Sequence, residues 1–432
     1  MSQGQARPKL FYGWIVLGGL FITAALGPMG RYILTVFFPF IMEDPGWSRE
    51  TIGLGFTIHF WAYALLAILT GKLIDHIGGR VTILIGGVLT LLGLLLLSSV
   101  EAAWQFFLVF GVLMAGAVSM THFVPNTSLV RKWFIRKAGL ATGLVTLGTV
   151  IGFACLPPLI SYLSVDFGWR TASVICAVGF GIPIMAMAAF IIRNAPETMG
   201  LYPDGGGPLE DEARPLGSLE PGVKPEVPVR WTTAQALRSK NFWYFLVAYS
   251  VTGIPLQGIL GHVIIWGVEM GFSRANSGLI MAALTIPSMP VRVLAGWLGD
   301  RFGKRRVLIL FNLYTTIIWF LGWLFITDKW SFLAFCILLG FAYSAPFSLY
   351  TPFLGDMFGR MIVGTLMGVL TLGHGIIGGV GPYLWGWIAD RMGSYLLNCP
   401  ISAGCYVIVT LSLFLLKPPE GSDKPRCCIK GA

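Results

Sequence analysis

The chain is poor in charged residues. Asp, Glu, Lys and Arg together make up 12% of its 432 residues, about half of the roughly 25% that is usual in soluble domains. Hydrophobic residues make up 55%, so the chain lacks the polar side chains needed to cover a water-soluble globule of this size. This composition predicts an integral membrane protein. It excludes a soluble enzyme, a secreted disulfide-linked module and a nucleic-acid-binding protein.

The sequence also lacks the residue groupings that hold a metal, a cofactor or a reaction centre. Its seven cysteines are odd in number, and most lie within apolar runs without metal-ligand spacing, so we expect neither a disulfide framework nor a metal site. There is no glycine-rich phosphate loop and no nucleophile placed with a base. We therefore predict no cofactor, no metal, no catalytic residue and no enzymatic activity.

The apolar residues are gathered into runs of about 20, the length of a helix that crosses the hydrocarbon core of a bilayer. These runs predict an all-α polytopic membrane protein with twelve spans. The spans lie near residues 11–41, 52–73, 81–99, 104–129, 138–163, 171–192, 242–268, 277–298, 307–327, 331–354, 361–388 and 396–416.

Basic residues outside the spans are distributed unevenly between the two sides of the membrane. If the N-terminus is cytoplasmic, 23 Lys and Arg residues, counting Lys72 at the inner end of the second span, lie on the cytoplasmic side and five on the outer side. The positive-inside rule then predicts a multi-pass protein of the cell membrane with both termini in the cytoplasm. The five outer residues are Arg49, Arg170, Arg274, Lys329 and Arg391.

Residues 193–241 interrupt the pattern, because they are rich in proline and carry an acidic cluster at positions 210–212. We interpret them as a cytoplasmic linker. The linker would separate an N-terminal six-helix bundle, residues 1–192, from a C-terminal six-helix bundle, residues 242–416. A cytoplasmic tail, residues 417–432, would follow.

The two predicted bundles repeat each other at a constant offset of 225 residues. Because several separated landmarks agree on one offset, we infer two similar halves in parallel orientation, related by pseudo-symmetry. Such a duplication places a binding site between the halves near mid-membrane, where rocking exposes it to each side in turn. The repeated landmarks are Ser48-Arg49 with Ser273-Arg274, Gly53 with Gly278, Gly71 and Asp75 with Gly296 and Asp300, Thr146-Leu147-Gly148 with Thr371-Leu372-Gly373, and Pro157 with Pro382.

Two sets of motifs resemble known transporter families. Residues 71–80 (GKLIDHIGGR) and their copy at 296–305 (GWLGDRFGKR) resemble the loop signature of the major facilitator superfamily. Residues 11–14 (FYGW) and 133–143 (WFIRKAGLATG) resemble the monocarboxylate transporter branch and its relatives, the oxalate/formate exchangers. The resemblance implies the major facilitator fold over nearly the whole chain.

The loop signature implies a gating role for Asp75, Arg80, Asp300 and Arg305. The aspartates end a helix where they can meet neighbouring helix N-termini and arginines, which would hold one face of the transporter shut. In the alternative interpretation, all four are ordinary turn and topology residues.

The spans contain no acidic residue but two arginines, Arg31 and Arg292. Each arginine costs roughly 2.5–3.5 kcal/mol at the centre of a membrane helix, so a role in the protein must offset that cost. A wet, positive cavity without carboxylates suits an anion and would repel a cationic drug or amine. We therefore predict that the cavity binds an anion.

Arg292 is the main candidate for binding a carboxylate, because a guanidinium offers a planar fork for bidentate contact. The resemblance implies the same role, since monocarboxylate transporters carry a substrate-binding arginine in this helix. Many of them have an aspartate one turn earlier, where this chain has Ser288. Arg31 would attract anions into the cavity. The alternatives are a helix-packing role for Arg292 and an interfacial position for Arg31.

Other polar residues within the spans are expected to complete the site. Asn126, Tyr343 and Tyr350 are predicted to bind substrate together with the two arginines. A histidine can supply the titratable group that the missing carboxylates cannot. For each residue the alternative is an ordinary packing role. The residues predicted to couple protons or to line the cavity as polar groups are His374, His122, His59 and Tyr63.

These features predict a secondary active transporter of small organic anions. The leading hypothesis is symport of a proton with a short monocarboxylate such as lactate or pyruvate, by alternating access. One alternative is an organic anion exchanger of the oxalate/formate type, and a distant one is a membrane sensor that does not transport. The expected partners are a small carboxylate, a proton or counter-anion and the lipid bilayer, with no nucleic acid, and we expect a monomer.

Overall fold

The computed structural model describes residues 11–44, 46–135, 137–205, 231–343, 345–359 and 362–417. Within these ranges all regular structure is helical and there is no β-strand. Most of the predicted linker, including its acidic cluster, and nearly all of the predicted tail lie outside the described residues.

Twelve helices of the structure are long and apolar enough to cross a membrane, which confirms the predicted all-α fold. We number these membrane helices α1 to α12. They span, in order, Tyr12–Ile41, Arg49–Ile77, Gly79–Leu97, Ala103–Trp133, Leu140–Phe167, Trp169–Ile191, Lys240–Glu269, Gly278–Phe302, Lys304–Phe325, Lys329–Phe358, Val363–Met392 and Asn398–Leu415.

Polar caps start some helices before their apolar runs begin. The α2 helix begins at Arg49, three residues before the predicted start, because the Ser48 hydroxyl accepts a hydrogen bond from the Thr51 amide at 3.0 Å. Ahead of α7, a short helix spans Thr233–Arg238, and its first turn is closed by reciprocal bonds between Thr232 and Gln235.

Several membrane helices are interrupted near the middle of their length. Pro28 and Pro287 lie at two of the interruptions, as expected of a residue that has no amide hydrogen to donate. In α4 the interruption is at His122, whose backbone torsions (φ −103°, ψ −115°) are not helical. Such interruptions leave carbonyl groups that side chains must satisfy. The resulting segments are Tyr12–Leu26 and Met29–Ile41 in α1, Met114–Thr121 and Phe123–Trp133 in α4, Lys240–Val251 and Gly253–Glu269 in α7, Gly278–Thr285 and Ser288–Phe302 in α8, and Val363–Gly378 and Val380–Met392 in α11.

The two six-helix halves meet where α1 crosses α7. The Thr35 hydroxyl donates to the Leu260 carbonyl at 2.9 Å, and the Tyr32 hydroxyl donates to Gln257 Oε1 at 3.5 Å. In both pairs the partners are 225 residues apart. The offset found in the sequence is therefore the symmetry relation between the halves.

One end of the bundle is closed by two equivalent close approaches. A Cβ atom on Gly53 of α2 would overlap the backbone of Pro382 in α11, and a Cβ atom on Gly278 of α8 would overlap the backbone of Pro157 in α5. Only glycine lets the backbones approach this closely. The four landmarks of the sequence repeat thus form two contacts between the halves.

Ion pairs join the halves at the same end. Arg49 pairs with both Glu269 (Nε to Oε1, 2.9 Å) and Asp390 (Nη1 to Oδ1, 3.1 Å). Its equivalent in the other half, Arg274, pairs with Glu43. The closure is therefore charged at its rim and tightly packed beneath.

A buried histidine holds Pro382 in this closure. The Pro382 carbonyl can only accept, so His262 Nε2 donates to it at 2.9 Å and Nδ1 accepts from the Tyr395 hydroxyl at 2.9 Å. Burial raises the pKa of the Tyr395 phenol well above its usual value, so this hydroxyl keeps its proton and can donate. Further hydrogen bonds join the halves near this end, from the Tyr383 hydroxyl to Glu50 Oε1 and from the Tyr162 hydroxyl to Asn276 Oδ1.

Candidate functional site

A cavity of about 280 Å³ lies between the halves beneath the closed end. Seven helices from both halves contribute to its wall, and several of them are interrupted near it. None of its lining residues, as far as the structure describes them, is acidic. The wall comprises Ala24, Pro28, Arg31, Tyr32, Val118, His122, Phe123, Asn126, Thr127, Val145, Thr146, Thr149, Phe153, Leu256, Gln257, Leu260, Arg292, Phe347 and His374.

Arg31 lies just after the interruption of α1 and is only 7% exposed. Its guanidinium carbon lies 4.5 Å from the ring centre of Phe60 and 4.3 Å from that of Tyr63. These aromatic faces offset part of the cost of burying a cation. Nε and Nη2 have no hydrogen-bond partner among the described residues, so Arg31 brings unused donors to the cavity wall.

Arg292 also lines the cavity, from the second segment of α8. Its side chain is half-buried, and its backbone carbonyl accepts a bond from the Ser348 hydroxyl at 3.5 Å. Ser288, one turn before Arg292, donates to the Thr285 carbonyl at 2.7 Å. Ser288 therefore satisfies a carbonyl near the α8 interruption.

His374 lines the cavity from α11. Its Nδ1 lies 3.0 Å from the carbonyl oxygen of Tyr249, close to the interruption of α7, and its Nε2 lies 3.4 Å from Gln257 Nε2. The imidazole also packs against the rings of Tyr249 and Phe347. His374 therefore links α11 to α7 at the cavity wall.

His122 and Asn126 are both on the wall, His122 at the interruption of α4 and Asn126 in the segment that follows it. The Asn126 amide donates to the Thr121 carbonyl at 3.2 Å, and its Oδ1 accepts from the Thr23 hydroxyl at 3.0 Å. Asn126 thus ties α4 to α1 across the interruption.

Other predicted site residues lie beside the cavity. The Tyr63 ring packs against the guanidinium of Arg31, which lines the cavity. His59 is fully buried, and its Nδ1 donates to the Phe110 carbonyl at 2.8 Å. Tyr350 is fully buried among the rings of Phe245 and Tyr249 in the C-terminal half. Tyr343 lies within α10, and its side chain is outside the described part of the structure.

In this conformation the two predicted gating arginines bond to carbonyl groups of their own halves. Arg80 donates to the carbonyls of Ala188 and Ala189 near the end of α6, at 3.0 and 2.6 Å. Arg305 donates to the carbonyls of Leu413 and Phe414 near the end of α12, at 3.0 and 2.8 Å. Asp75 and Asp300 are exposed and make no hydrogen bond or ion pair with a described residue. The gating role of the four residues stays a prediction.

Two residues of the cavity were missed in the sequence, Tyr32 and Gln257. Both are uncharged, and neither forms a motif. The signal that identifies them is their separation by 225 residues on the two helices that cross between the halves. The same offset that reveals the duplication could have placed them in contact.

Comparisons with known proteins agree with this architecture. The Major Facilitator Superfamily model matches residues 20–290 and 257–427. Mouse monocarboxylate transporter 4 is 25% identical over 425 residues, covering 96% of this chain and 84% of the relative. The uncharacterised transporter ESBP6 of Saccharomyces cerevisiae is 26% identical over 367 residues; the match covers 82% of this chain but only about half, 51%, of that relative's length.

A solved structure shares the fold. The nucleoside transporter NupG superposes with a TM-score of 0.71 at 14% identity, covering 94% of this chain and all of that one. At this identity the likeness concerns the fold alone. The family match, the twelve membrane helices and the duplicated halves together show that this chain is a multi-pass membrane protein that belongs to the Major Facilitator Superfamily.

Proposed function

We propose that this protein is a secondary active transporter of small organic anions, and that it carries a short monocarboxylate such as lactate or pyruvate together with a proton. The observation that supports this best is the wall of the central cavity. It contains Arg31 and Arg292 and, among its described residues, no carboxylate. A cation buried at this depth is costly unless something compensates it, and a carboxylate substrate would do so.

The family relationship favours the same class of substrate. Several of the relatives are named monocarboxylate transporters and are similar over most of this chain, although at only 22–25% identity. In our proposal Arg292 grips the carboxylate in a bidentate manner, Arg31 adds attraction, and apolar side chains such as Phe153 and Leu260 surround the short tail.

Coupling to a proton has an energetic reason. Carrying a lone anion inward against an interior-negative potential costs about 2.3 kcal/mol per charge per 100 mV. Co-transport of a proton removes this cost, and His374 and His122 line the cavity where one could be held. We also propose that both termini are cytoplasmic, so that the closed end faces outward.

The test is transport by the purified protein in proteoliposomes. With L-lactate outside and a weakly buffered medium, symport predicts uptake accompanied by alkalinisation of the outside, without any anion inside. A panel of C1 to C5 acids would then define the preferred chain length. Failure of every acid in the panel to enter would contradict the proposal.

Anion exchange is the second candidate, because two arginines on one cavity also suit a dicarboxylate. Exchange predicts that uptake depends strictly on an anion trapped inside the vesicle. Strict dependence of that kind, without alkalinisation, would replace symport by exchange.

A further inference from the structure

A chain of hydrogen-bonding groups on the cavity wall runs from one half to the other. It runs from the Tyr32 hydroxyl to Gln257 Oε1 at 3.5 Å, and from Gln257 Nε2 to His374 Nε2 at 3.4 Å. It ends at the Tyr249 carbonyl, 3.0 Å from His374 Nδ1. Gln257 is 9% exposed and stands at the centre of this chain.

The direction of each bond follows from what each group can donate. A carbonyl oxygen only accepts, so His374 Nδ1 carries the hydrogen that faces Tyr249. In the neutral imidazole, Nε2 then has a lone pair and accepts from the Gln257 amide nitrogen. The Gln257 oxygen is thereby turned toward Tyr32 and accepts from its hydroxyl.

Protonation of His374 reverses this order. An imidazolium donates from both nitrogens, so Nε2 would face the Gln257 NH₂ group donor to donor. Turning the amide over restores the contact, with Oε1 accepting from His374 and the nitrogen donating to the Tyr32 oxygen. The Tyr32 hydrogen is then released from Gln257 and is free to point into the cavity beside Arg31.

Groups around the chain make a carboxylate the natural acceptor for that hydrogen. The titratable group in contact with His374 is Tyr249, and the charged or titratable groups that share its cavity are Arg31, Tyr32, His122 and Arg292. No acidic residue of the described cavity wall competes for the released donor.

We propose that Gln257 is a positioning residue that couples protonation of His374 to anion binding, by turning its amide and releasing the Tyr32 hydroxyl toward the substrate carboxylate. This inference rests on the proposed function for its role in transport, but the relay itself can be measured without any substrate. Its signature is that Tyr32 reports the protonation state of His374.

The ligand-free experiment is NMR of the full chain in nanodiscs, labelled with ¹⁵N-histidine and ¹³Cζ-tyrosine. Signals are assigned with His374→Asn and Tyr32→Phe. In the wild type, the Tyr32 signal is expected to change with the same pH midpoint as His374. In Gln257→Leu, His374 still titrates but Tyr32 no longer follows it. A Tyr32 signal that ignores His374 in the wild type, or follows it equally in Gln257→Leu, would overturn the relay.

A second variant guards against misfolding of Gln257→Leu. Gln257→Glu keeps the shape and the acceptor for Tyr32 but has no amide that can turn over, so Tyr32 is expected to remain a donor to position 257 across the titration. Thr90→Val is the control, because it removes a buried hydroxyl bonded to its own helix at Gly86, outside the cavity. Loss of the coupling in Thr90→Val as well would also contradict the relay.

Transport completes the test with ¹⁴C-L-lactate as the probe. Wild-type uptake into proteoliposomes is expected to rise as the outside is acidified, and Gln257→Leu to lose about fivefold or more of that stimulation. Thr90→Val should keep it. If the wild type takes up no lactate, the proposed function is contradicted. The relay is then tested by the ligand-free NMR spectra alone. Wild-type pH stimulation in Gln257→Leu would contradict the relay.

Discussion

The N-terminal and C-terminal halves share their scaffold contacts but differ at the cavity. At an offset of 225, Gly53 on Pro382 matches Gly278 on Pro157, and the carbonyl contacts of Arg80 match those of Arg305 atom for atom. These contacts hold helices at fixed distances, and both halves need them equally.

The cavity wall does not follow this symmetry. At the same offset, Arg31 corresponds to Leu256, which also lines the cavity, and His374 corresponds to Thr149. Arg292 corresponds to Ala67. The cations therefore come from different helices of the two halves. The repeat therefore accounts for the contacts between helices that both halves share, whereas the cations of the cavity wall lie at positions where the two halves differ.

The largest effect is expected when the cavity wall is made symmetric between the two halves. Arg292→Ala installs the side chain found at the equivalent Ala67, and we expect lactate affinity to fall about 30-fold or more, since removing one partner of a buried charged contact costs about 2–5 kcal/mol. Arg292→Lys keeps the charge but loses the fork and should lose about tenfold. The measurement is the dissociation constant for L-lactate, with expression and thermal stability as controls. Normal affinity in both variants would make Arg292 structural.

The next test addresses the shared scaffold. Gly53→Ala and Gly278→Ala each place a methyl group against the backbone of the opposite half. Overpacking of this kind costs about 1–3 kcal/mol, enough to shift the population toward the conformation opened at the now-closed end by about tenfold. Both variants should act alike because the contacts are equivalent. The readout is the distance between spectroscopic labels at positions 162 and 276, which lie on opposite halves at this end.

Matched controls come from the same repeat. Gly71→Ala and Gly296→Ala, again 225 residues apart, meet nothing within 4 Å. They should leave the label distance unchanged. A shift of equal size in these controls would show that loss of helix flexibility, and not the contact between the halves, sets the conformation.

The smallest expected effect concerns the charged rim. Arg49 pairs with two acidic residues and its equivalent Arg274 with Glu43, so Arg49→Gln should open the closed end more than Arg274→Gln. Exposed ion pairs contribute only about 0–1 kcal/mol each, so we expect shifts of a few-fold at low salt and less at high salt. The same label pair measures both variants, and a larger effect of Arg274→Gln would contradict the assignment.

The sequence predicts those features of the fold that depend on the composition of many consecutive residues. Apolar runs locate all twelve spans, and the repeated landmarks identify the two halves. Arg31 and Arg292 stand out because a cation in an apolar run is costly whatever its neighbours are. The structure places both on the wall of one cavity, and their roles in binding an anion stay predictions.

Other features depend on three-dimensional contacts that the spacing of residues along the sequence does not reveal. Tyr350 lies beside the cavity among the rings of Phe245 and Tyr249 and not on the cavity wall, which its place in an apolar run does not reveal. Gln257 and Tyr32 gain their importance only from the crossing of α1 and α7. The capping residues Ser48 and Ser239 extend helices beyond the apolar runs that predict them.

The most direct test of a cavity built for an anion compares L-lactate with lactamide, its neutral amide of nearly the same shape, in binding to the wild-type protein at one pH. The account predicts that lactate binds and is displaced by pyruvate, while lactamide binds at least about tenfold more weakly because it offers no charge to Arg31 and Arg292. Equal binding of lactate and lactamide, or preferential binding of a small amine, would contradict it.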